Sequence, residues 1–572
     1  MRDKKEFFNI LQDIDGKDVS EFGRLSGDFD FSRFVLKIAQ IEVDHLEKPS
    51  LFLVRVPQII AGFPPHLYNM AVRKTALEDY LTRRIAEEIE TMARYDEEGL
   101  SRRHLQIAVP GQKILPRTAL QVSDEYLEAR IYVTLPQRNG RVDGERMKDI
   151  FFDELARLVN SAMIYCNLSE QGLGEGVNQM EDADQIRQSL STRGLIAFVG
   201  DGSLLGRLGN TDYPDYDAVE PFSVDPELLT DFEVPNAGVV RGLGVPAGIT
   251  VILGDAYSGR VELVRALAAG VYNHVVGDGR ERVVSVQDAV LVAAGPGRGV
   301  QKVDVSPFLR GVTKGGTSPE EYSAEDADAC TAQAASTVEA LEAGARALLF
   351  DESLSSPAFL TRDPRLSALM PDAGQRIMPL SGHARKLVDD LGISLLVAGS
   401  SSVAEFIPVA DTVLRVDGHK VYDVTQQAKA MDTAALQLDG NPAELRALIE
   451  KSRWVVPSSI DSSEGVSDQV IEANGVDLLK FGRAVIGLQD VTQLADEYQT
   501  ATIGLILYYA KLRYLDESRT VREILDLIDQ DLSSEGLDCL SRDLRGDLAR
   551  PRRFEIAAAL NRLRSLRISH ID

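Results

Sequence analysis

Positive charge runs short in this chain: 62 Lys and Arg face 88 Asp and Glu, a formal charge of −26 at pH 7. A net negative chain repels nucleic acid on average, so binding it would require a local basic patch. Cysteine is scarce too. The three present, Cys166, Cys330 and Cys539, are scattered over 572 residues and odd in number, which supports neither a disulfide framework nor a zinc site. No continuous apolar run approaches the length that spans a bilayer, and the longest, Ile503 to Ala510, falls far short. The opening Met1-Arg2-Asp3-Lys4-Lys5-Glu6 has no apolar signal core. These absences lead to the expectation of a soluble cytoplasmic protein without membrane contact, of about three or four domains by length.

What is present is a stretch around which the rest can be organised. Ile249 to Leu253 is a β-branched apolar run; Gly254-Asp255-Ala256-Tyr257-Ser258-Gly259 is a Gly-to-Gly turn; from Arg260 to Leu267 the pattern turns helical. Strand, loop and helix in that order make a phosphate-binding loop, in which glycines let backbone amides face an anion and the helix adds the positive end of its dipole. Gly254, Tyr257, Ser258, Gly259 and Arg260 are therefore the candidate nucleotide-binding residues. Where such a loop has Lys followed by Ser or Thr, this chain has Arg260, Val261 and Glu262. Arg260 keeps the charge in a planar form, Val261 removes a hydroxyl ligand of Mg²⁺, and Glu262 adds a carboxylate. A strand–turn–helix that holds no ligand would read the same way.

Before this loop, short apolar alternations at Phe31 to Glu42 and Ser50 to Val56 predict strands, and Tyr68 to Arg94 a long amphipathic helix with Leu77, Tyr80, Leu81, Ile85, Ile89 and Met92 on one face. Strands follow at Gln106 to Val109 and Glu128 to Thr134, then a helix from Gly144 to Ala162. Between them Arg138 and Arg141 flank Asn139-Gly140, an exposed hairpin tip or an anion-holding turn. Residues 211–234, rich in Asp, Glu and Pro and including Asp217, read as a linker. Beyond it strands and helices alternate, with strands at Val283 to Val286, Ala289 to Val292, Ala345 to Phe350 and Ile393 to Ala398. The expected fold class is α/β: an N-terminal α/β domain over 1–210, the linker 211–234, a P-loop core over 235–428 with a largely parallel sheet, and a mostly helical C-terminal region over 429–572. In that region Asp490 to Leu512 and Arg552 to Leu566 have helical periodicity.

The strand Ala345 to Phe350 runs into Asp351-Glu352, placing two carboxylates at the carboxyl edge of a sheet, where open α/β folds bind ligands. In a nucleotide site Asp351 would hold Mg²⁺ through water and Glu352 would polarise the attacking water. An acidic pair after a strand also serves as a helix cap.

Several unusual strings resemble one family, the predicted ATPases of the ABC class, which are stand-alone proteins rather than transporter subunits. They are Gly242-Leu243-Gly244-Val245-Pro246, Gly270-Val271-Tyr272-Asn273-His274, Gly277-Asp278-Gly279-Arg280-Glu281, Val303-Asp304-Val305-Ser306-Pro307-Phe308, Arg362-Asp363, Ala410-Asp411-Thr412-Val413 and Asp423-Val424-Thr425. Further strings near the start, Ile14-Asp15-Gly16-Lys17, and near the end, Gly546-Asp547-Leu548-Ala549-Arg550-Pro551-Arg552, extend the resemblance over nearly the whole chain. The resemblance implies a P-loop ABC-ATPase core, ATP and Mg²⁺ as cofactors, a head-to-tail homodimer, Glu352 as the catalytic base and Asp351 at the metal. It also implies a signature segment at Asp328, Ala329 and Cys330, where the family has Ser and Gly facing the γ-phosphate held by the partner. Asp328 would bring a carboxylate towards that anion. The strand at Ile393 to Ala398 is followed by Gly399-Ser400-Ser401-Ser402, without the histidine that would contact a γ-phosphate; His274 belongs to one of the family strings and reads equally as a packed structural residue or a ligand, and His383 and His419 sit in loop-like settings with no partner that spacing identifies.

Three readings follow. The changed positions Arg260, Val261, Glu262 and Asp328 favour an ABC-class ATPase in which hydrolysis is weak or lost. A working ATPase using Arg260 and Glu352 is the second. The third is a non-catalytic scaffold or nucleic-acid-binding protein using the basic segments Arg542 to Arg553 and Arg562 to Arg567.

Overall fold

The computed structural model describes residues 1–42, 48–92, 94–95, 101–102, 104–209, 211–216, 220–311, 318–362, 377–431 and 453–569. Asp217 and Asp363 lie outside the described residues. The chain folds as two units that do not follow chain order: residues 1–181 with 535–550, and residues 182–534 with 551–572.

In the first unit, Gly27–Asp30, Val35–Gln40, Ser50–Pro57 and Tyr126–Val133 lie side by side in one sheet. The long helix Ala71–Met92 buries Leu77, Leu81, Ile85 and Ile89 of the face that its periodicity assigns to the core, while Tyr80 and Met92 of that face stay half-buried. Phe7 meets Phe29, Phe31 and Phe151 edge-on, with ring centroids 4.7, 5.7 and 5.2 Å away. Asn139 and Gly140, at φ 53° and 75°, form the two-residue turn of a hairpin, as its Asn-Gly sequence favours. Its arginines are engaged at home: Arg138 donates to Asp143 at 2.6 Å and Arg141 to the Gly16 carbonyl at 2.8 Å. Segment 535–550 joins this unit through Arg130, a fully buried side chain whose two terminal nitrogens each donate to Asp538 at 2.6 Å. Gly546 permits the approach, since a Cβ there would stand 2.8 Å from the Arg130 Cβ.

The second unit is built on a seven-stranded sheet. Its strands are β1 (Ser223–Val224), β2 (Ile249–Leu253), β3 (Ala289–Leu291), β4 (Ala347–Asp351), β5 (Ser394–Gly399), β6 (Thr412–Asp417) and β7 (Lys420–Asp423), in the order β1-β7-β6-β2-β5-β4-β3. The central pairs β6-β2, β2-β5, β5-β4 and β4-β3 are parallel, and β6-β7 is an antiparallel hairpin. Strands buried on both faces need unbroken apolar runs, and Val251, Ile252, Leu348, Phe350, Leu395, Leu396 and Val397 are all almost completely buried. Each such side chain contributes about 1.5–3 kcal/mol. Helices α1 (Arg260–Ala269) and α2 (Ala329–Glu342) lie in this unit, with α1 packed on β4 and β5. A four-stranded antiparallel sheet takes Leu195–Gly200, Leu229–Val234, Gly238–Pro246 and Val283–Ser285.

Towards the C terminus come helices α3 (Glu497–Arg513), α4 (Val521–Ser534) and α5 (Arg553–Arg562), with a three-stranded meander at Ile471–Ala473, Leu478–Phe481 and Ala484–Gly487. The apolar run from Ile503 to Ala510 lies within α3, where every residue of it but Tyr508 is buried. Among the described residues no helix is long and apolar enough to cross a membrane.

Candidate nucleotide site

Strand β2 enters the Gly254 loop in the centre of the parallel sheet, and α1 leaves it at Arg260. Gly254 has no room for a side chain, because a Cβ would lie 2.5 Å from Ser258 Oγ. Tyr257 takes a left-handed backbone, φ 64°, with its ring fully exposed, and Gly259 follows at φ 92°. Within the described residues the amides of Asp255, Ala256, Tyr257 and Gly259 donate to no carbonyl, whereas Ser258 N–H donates to the Asp255 carbonyl at 3.3 Å. Free amides gathered at the N-terminal end of a helix are an anion cradle.

Arg260 turns away from that cradle. Its Nε donates to the Gly254 carbonyl at 3.1 Å and one terminal nitrogen to Asp351 Oδ1 at 3.2 Å, and the residue is only 7% exposed. The pair forms because β5 alone separates β2 from β4, so the loop after β2 and the end of β4 share one sheet edge. Asp351 Oδ1 also accepts the amide and hydroxyl of Ser353, while Oδ2 is buried without a partner. Mg²⁺ requires near-octahedral oxygen ligation. Here Val261 offers no oxygen, and the one open carboxylate oxygen stands beside a guanidinium, so these residues do not fit the ion. No cluster of metal-ligating side chains occurs among the described residues.

Glu352 points to the loop after β5, where its carboxylate accepts Ser400 N–H at 2.6 Å and Ser400 Oγ at 3.0 Å. Burial alone would raise its pKa, but the Ser402 hydroxyl nearby, the hydrogen bonds from Ser400 and the Arg260 charge carry it below the usual carboxylate range. Gly399 makes the approach possible, since a Cβ there would meet Glu352 Oε2 at 2.8 Å.

The signature positions behave as a helix start. Asp328 caps α2, accepting from Cys330 N–H at 2.9 Å, Thr331 N–H at 3.2 Å and Thr331 Oγ1 at 2.9 Å. An N terminus closed by its own carboxylate has little left for another anion. Ala329 begins the helix, and Cys330 is buried, its thiol pushed up to about 12 by burial and by Asp328. A thiol held protonated in this way packs and does not attack. Gln333 ties α2 to the acid-pair loop by donating to Ser355 Oγ at 2.9 Å and accepting Ser356 N–H at 2.8 Å.

The structure thus unites Gly254, Tyr257, Ser258, Gly259, Arg260, Asp351 and Glu352 at one sheet edge. Sequence reasoning missed three features: the inward turn of Arg260, the hold of Ser400 on Glu352, and His419. That histidine sits in the two-residue β6-β7 turn and lays its ring against Gly259, with Cδ2 2.7 Å from where a Cβ would be. Gly418-His419 between two strand runs was the available signal. His274 and Asp278 form a buried pair at 2.8 Å, with Arg207 on the same carboxylate at 2.6 Å.

The basic segments are largely engaged inside their own units. Arg545 pairs with Asp547, Arg552 with Glu555, Arg553 with Asp526 and Arg562 with Asp490. Arg564 donates to the Gly297 carbonyl and Arg567 to Ser458.

Residues 4–166 match the family described as the N-terminal part of ATPases of the ABC class, and residues 169–451 match the P-loop domain of ABC ATPases. Residues 470–569 match the MRB1590 C-terminal domain. No curated protein matches. Among solved structures, cbiO1 from Clostridium perfringens, part of the ABC transporter complex cbiONQ, is 12% identical over 44% of this chain and 91% of its own, with a TM-score of 0.21. A bacterial Atm1-family ABC exporter with ATP bound is 14% identical over 44% of this chain and 42% of its own, with a TM-score of 0.22. These two likenesses carry no weight in the assignment, which rests on the family matches and the strand–loop–helix of the site. The chain belongs to the ATPases of the ABC class, with an α/β P-loop core.

Proposed function

We propose that this protein binds the phosphates of a nucleotide at the Gly254 loop without Mg²⁺ and has lost most or all of its hydrolytic activity. The observation that carries the reading is the buried Arg260–Asp351 pair. The side chain at the lysine position and the acid at the metal position neutralise each other, so neither is available to a Mg–nucleotide. The loop amides and the dipole of α1 are then the phosphate-binding groups. Asp328, closing its own helix, removes the donors that a partner copy would offer across a head-to-tail dimer. The working-ATPase reading has one observation in its favour: Glu352 is held ionised, as a general base must be.

Equilibrium ATP binding with and without Mg²⁺, together with steady-state phosphate release, tests the proposal. Weak binding that is unchanged by chelator and release at background are expected. The triple variant Arg260→Lys, Val261→Ser, Glu262→Thr should bind Mg–ATP more tightly while turnover stays near background, until Asp328→Ser and Ala329→Gly are added. Robust, Glu352-dependent release by the wild-type protein would refute it.

A further inference from the structure

We propose that His419, which none of the site motifs contains, is a phosphate-contacting residue of the Gly254 loop and takes over the donor role that Arg260 has left; this rests on the nucleotide-binding reading above. Three observations support it. First, Arg260 is committed to Asp351 and to the Gly254 carbonyl and is almost wholly buried, so the open side of the loop has no cationic side chain from its own sequence. Second, the β6-β7 hairpin is fastened to the loop at its tip. His419 N–H donates to the Ser258 carbonyl at 2.9 Å, and the His419 carbonyl accepts Ser223 N–H at 3.0 Å. Third, the imidazole covers Gly259, whose Cβ position lies 2.7 Å from Cδ2 and 3.1 Å from Cγ, so the ring takes the space of a side chain at 259. Neither ring nitrogen has a hydrogen-bond partner among the described residues, and the residue is only half-buried.

The hairpin holds this position at a local cost. Gly418 and His419 both have positive φ, 55° and 62°, as a two-residue turn between Asp417 and Lys420 requires. Asn or Gly suits the second turn position better than His, so local turn preference does not account for an imidazole there. In a hydrogen bond to a phosphate oxygen the ring would supply an N–H donor next to the free amide of Gly259, and the contact would be to phosphate and not to the base.

The test is binding of ATP, inorganic tripolyphosphate and adenosine to the full-length protein by titration calorimetry, with thermal midpoints recorded for every variant. His419→Gly removes the ring and relaxes the turn, so its midpoint should hold. Its affinity for ATP and tripolyphosphate should fall by about fivefold to tenfold, the loss of one charge-assisted hydrogen bond at a half-exposed site. His419→Lys, which meets the same backbone cost as His and restores a donor, should recover both affinities. Wild-type binding that His419→Gly leaves unchanged overturns the inference and leaves the site standing. A loss that His419→Lys does not recover also overturns it, by assigning the ring a packing role. If the wild-type protein binds neither ATP nor tripolyphosphate, the nucleotide-binding reading fails and the inference with it.

Discussion

Buried arginine–carboxylate pairs occur both beneath the C-terminal helices and at the phosphate loop of the second unit, and they are built differently. Arg298 reaches both oxygens of Glu339, at 3.2 and 2.8 Å. Arg453 grips both oxygens of Glu342 and also donates to Asn561 at 2.9 Å, and Arg562 grips both oxygens of Asp490. Arg260 reaches one oxygen of Asp351 and leaves the other buried and bare. Two parallel bonds in a fork return most of what desolvation costs, whereas a one-armed contact does not. Arg298 holds α2 through Glu339, Arg453 joins α2 to α5 through Glu342 and Asn561, and Arg562 ties α5 to Asp490. The one-armed pair lies at the sheet edge, and its bare Asp351 Oδ2 sets it apart, since Glu339, Glu342 and Asp490 each have both carboxylate oxygens engaged.

The largest effect that would sharpen this contrast is expected at Glu342. Glu342→Ala leaves Arg453, 5% exposed, charged and without its carboxylate, and should cost about 3–5 kcal/mol in urea unfolding of the whole chain. A cost near zero would show that the two-armed pairs are not structural and would erase the distinction.

An intermediate effect is expected from acid. Burial alone would raise the pKa of Asp490, but Arg562 and Arg298 bring it below the ordinary aspartate range. A carboxylate whose folded-state pKa is depressed contributes stability above its unfolded pKa, about 4, and loses it as pH falls through the lower folded value. Asp490→Asn should therefore lower stability near neutrality and flatten the acid limb of a stability–pH curve. An unchanged slope between about pH 5 and pH 2 would count against the pair.

The smallest effect is expected at Asp351. Asp351→Asn keeps an oxygen for Arg260 and replaces the bare Oδ2 with an amide nitrogen, so it should change stability by about 1 kcal/mol or less. If it destabilised as much as Glu342→Ala, the loop pair would be as structural as the others, and the functional reading of Arg260 would lose its main support. Mixing the two classes in one double-mutant cycle, Glu342→Ala with Asp351→Asn, should give additive costs, because no partner is shared.

Much of the site was legible because its parts are local. The β-branched run before Gly254, the glycines that the loop geometry demands and the apolar strand ending at Asp351-Glu352 each announce themselves within about ten residues, and each formed where its pattern placed it. The face of the helix Ala71–Met92 was legible for the same reason. Boundaries shifted by a few residues where capping decided them: the helix expected from Asp490 starts at Glu497, once the Asp496 side chain accepts the Gln499 amide. Asp328 was visible as a departure from the family pattern, but its work as the cap of its own helix needed the backbone to be seen.

By itself, then, the sequence determined the strand–loop–helix, the two carboxylates at the end of β4 and the departures at Arg260, Val261, Glu262 and Asp328, since periodicity, glycine placement and side-chain chemistry are properties of neighbours in the chain. Only the tertiary structure decided that Arg260 faces Asp351 across 91 residues of chain, that Glu352 is held by Ser400 across 48, that His419 covers Gly259, and that segment 535–550 returns to Arg130. Those contacts depend on which strands become neighbours in a sheet, and the free energy that selects the arrangement comes from burying whole faces at once, which short-range pattern does not encode.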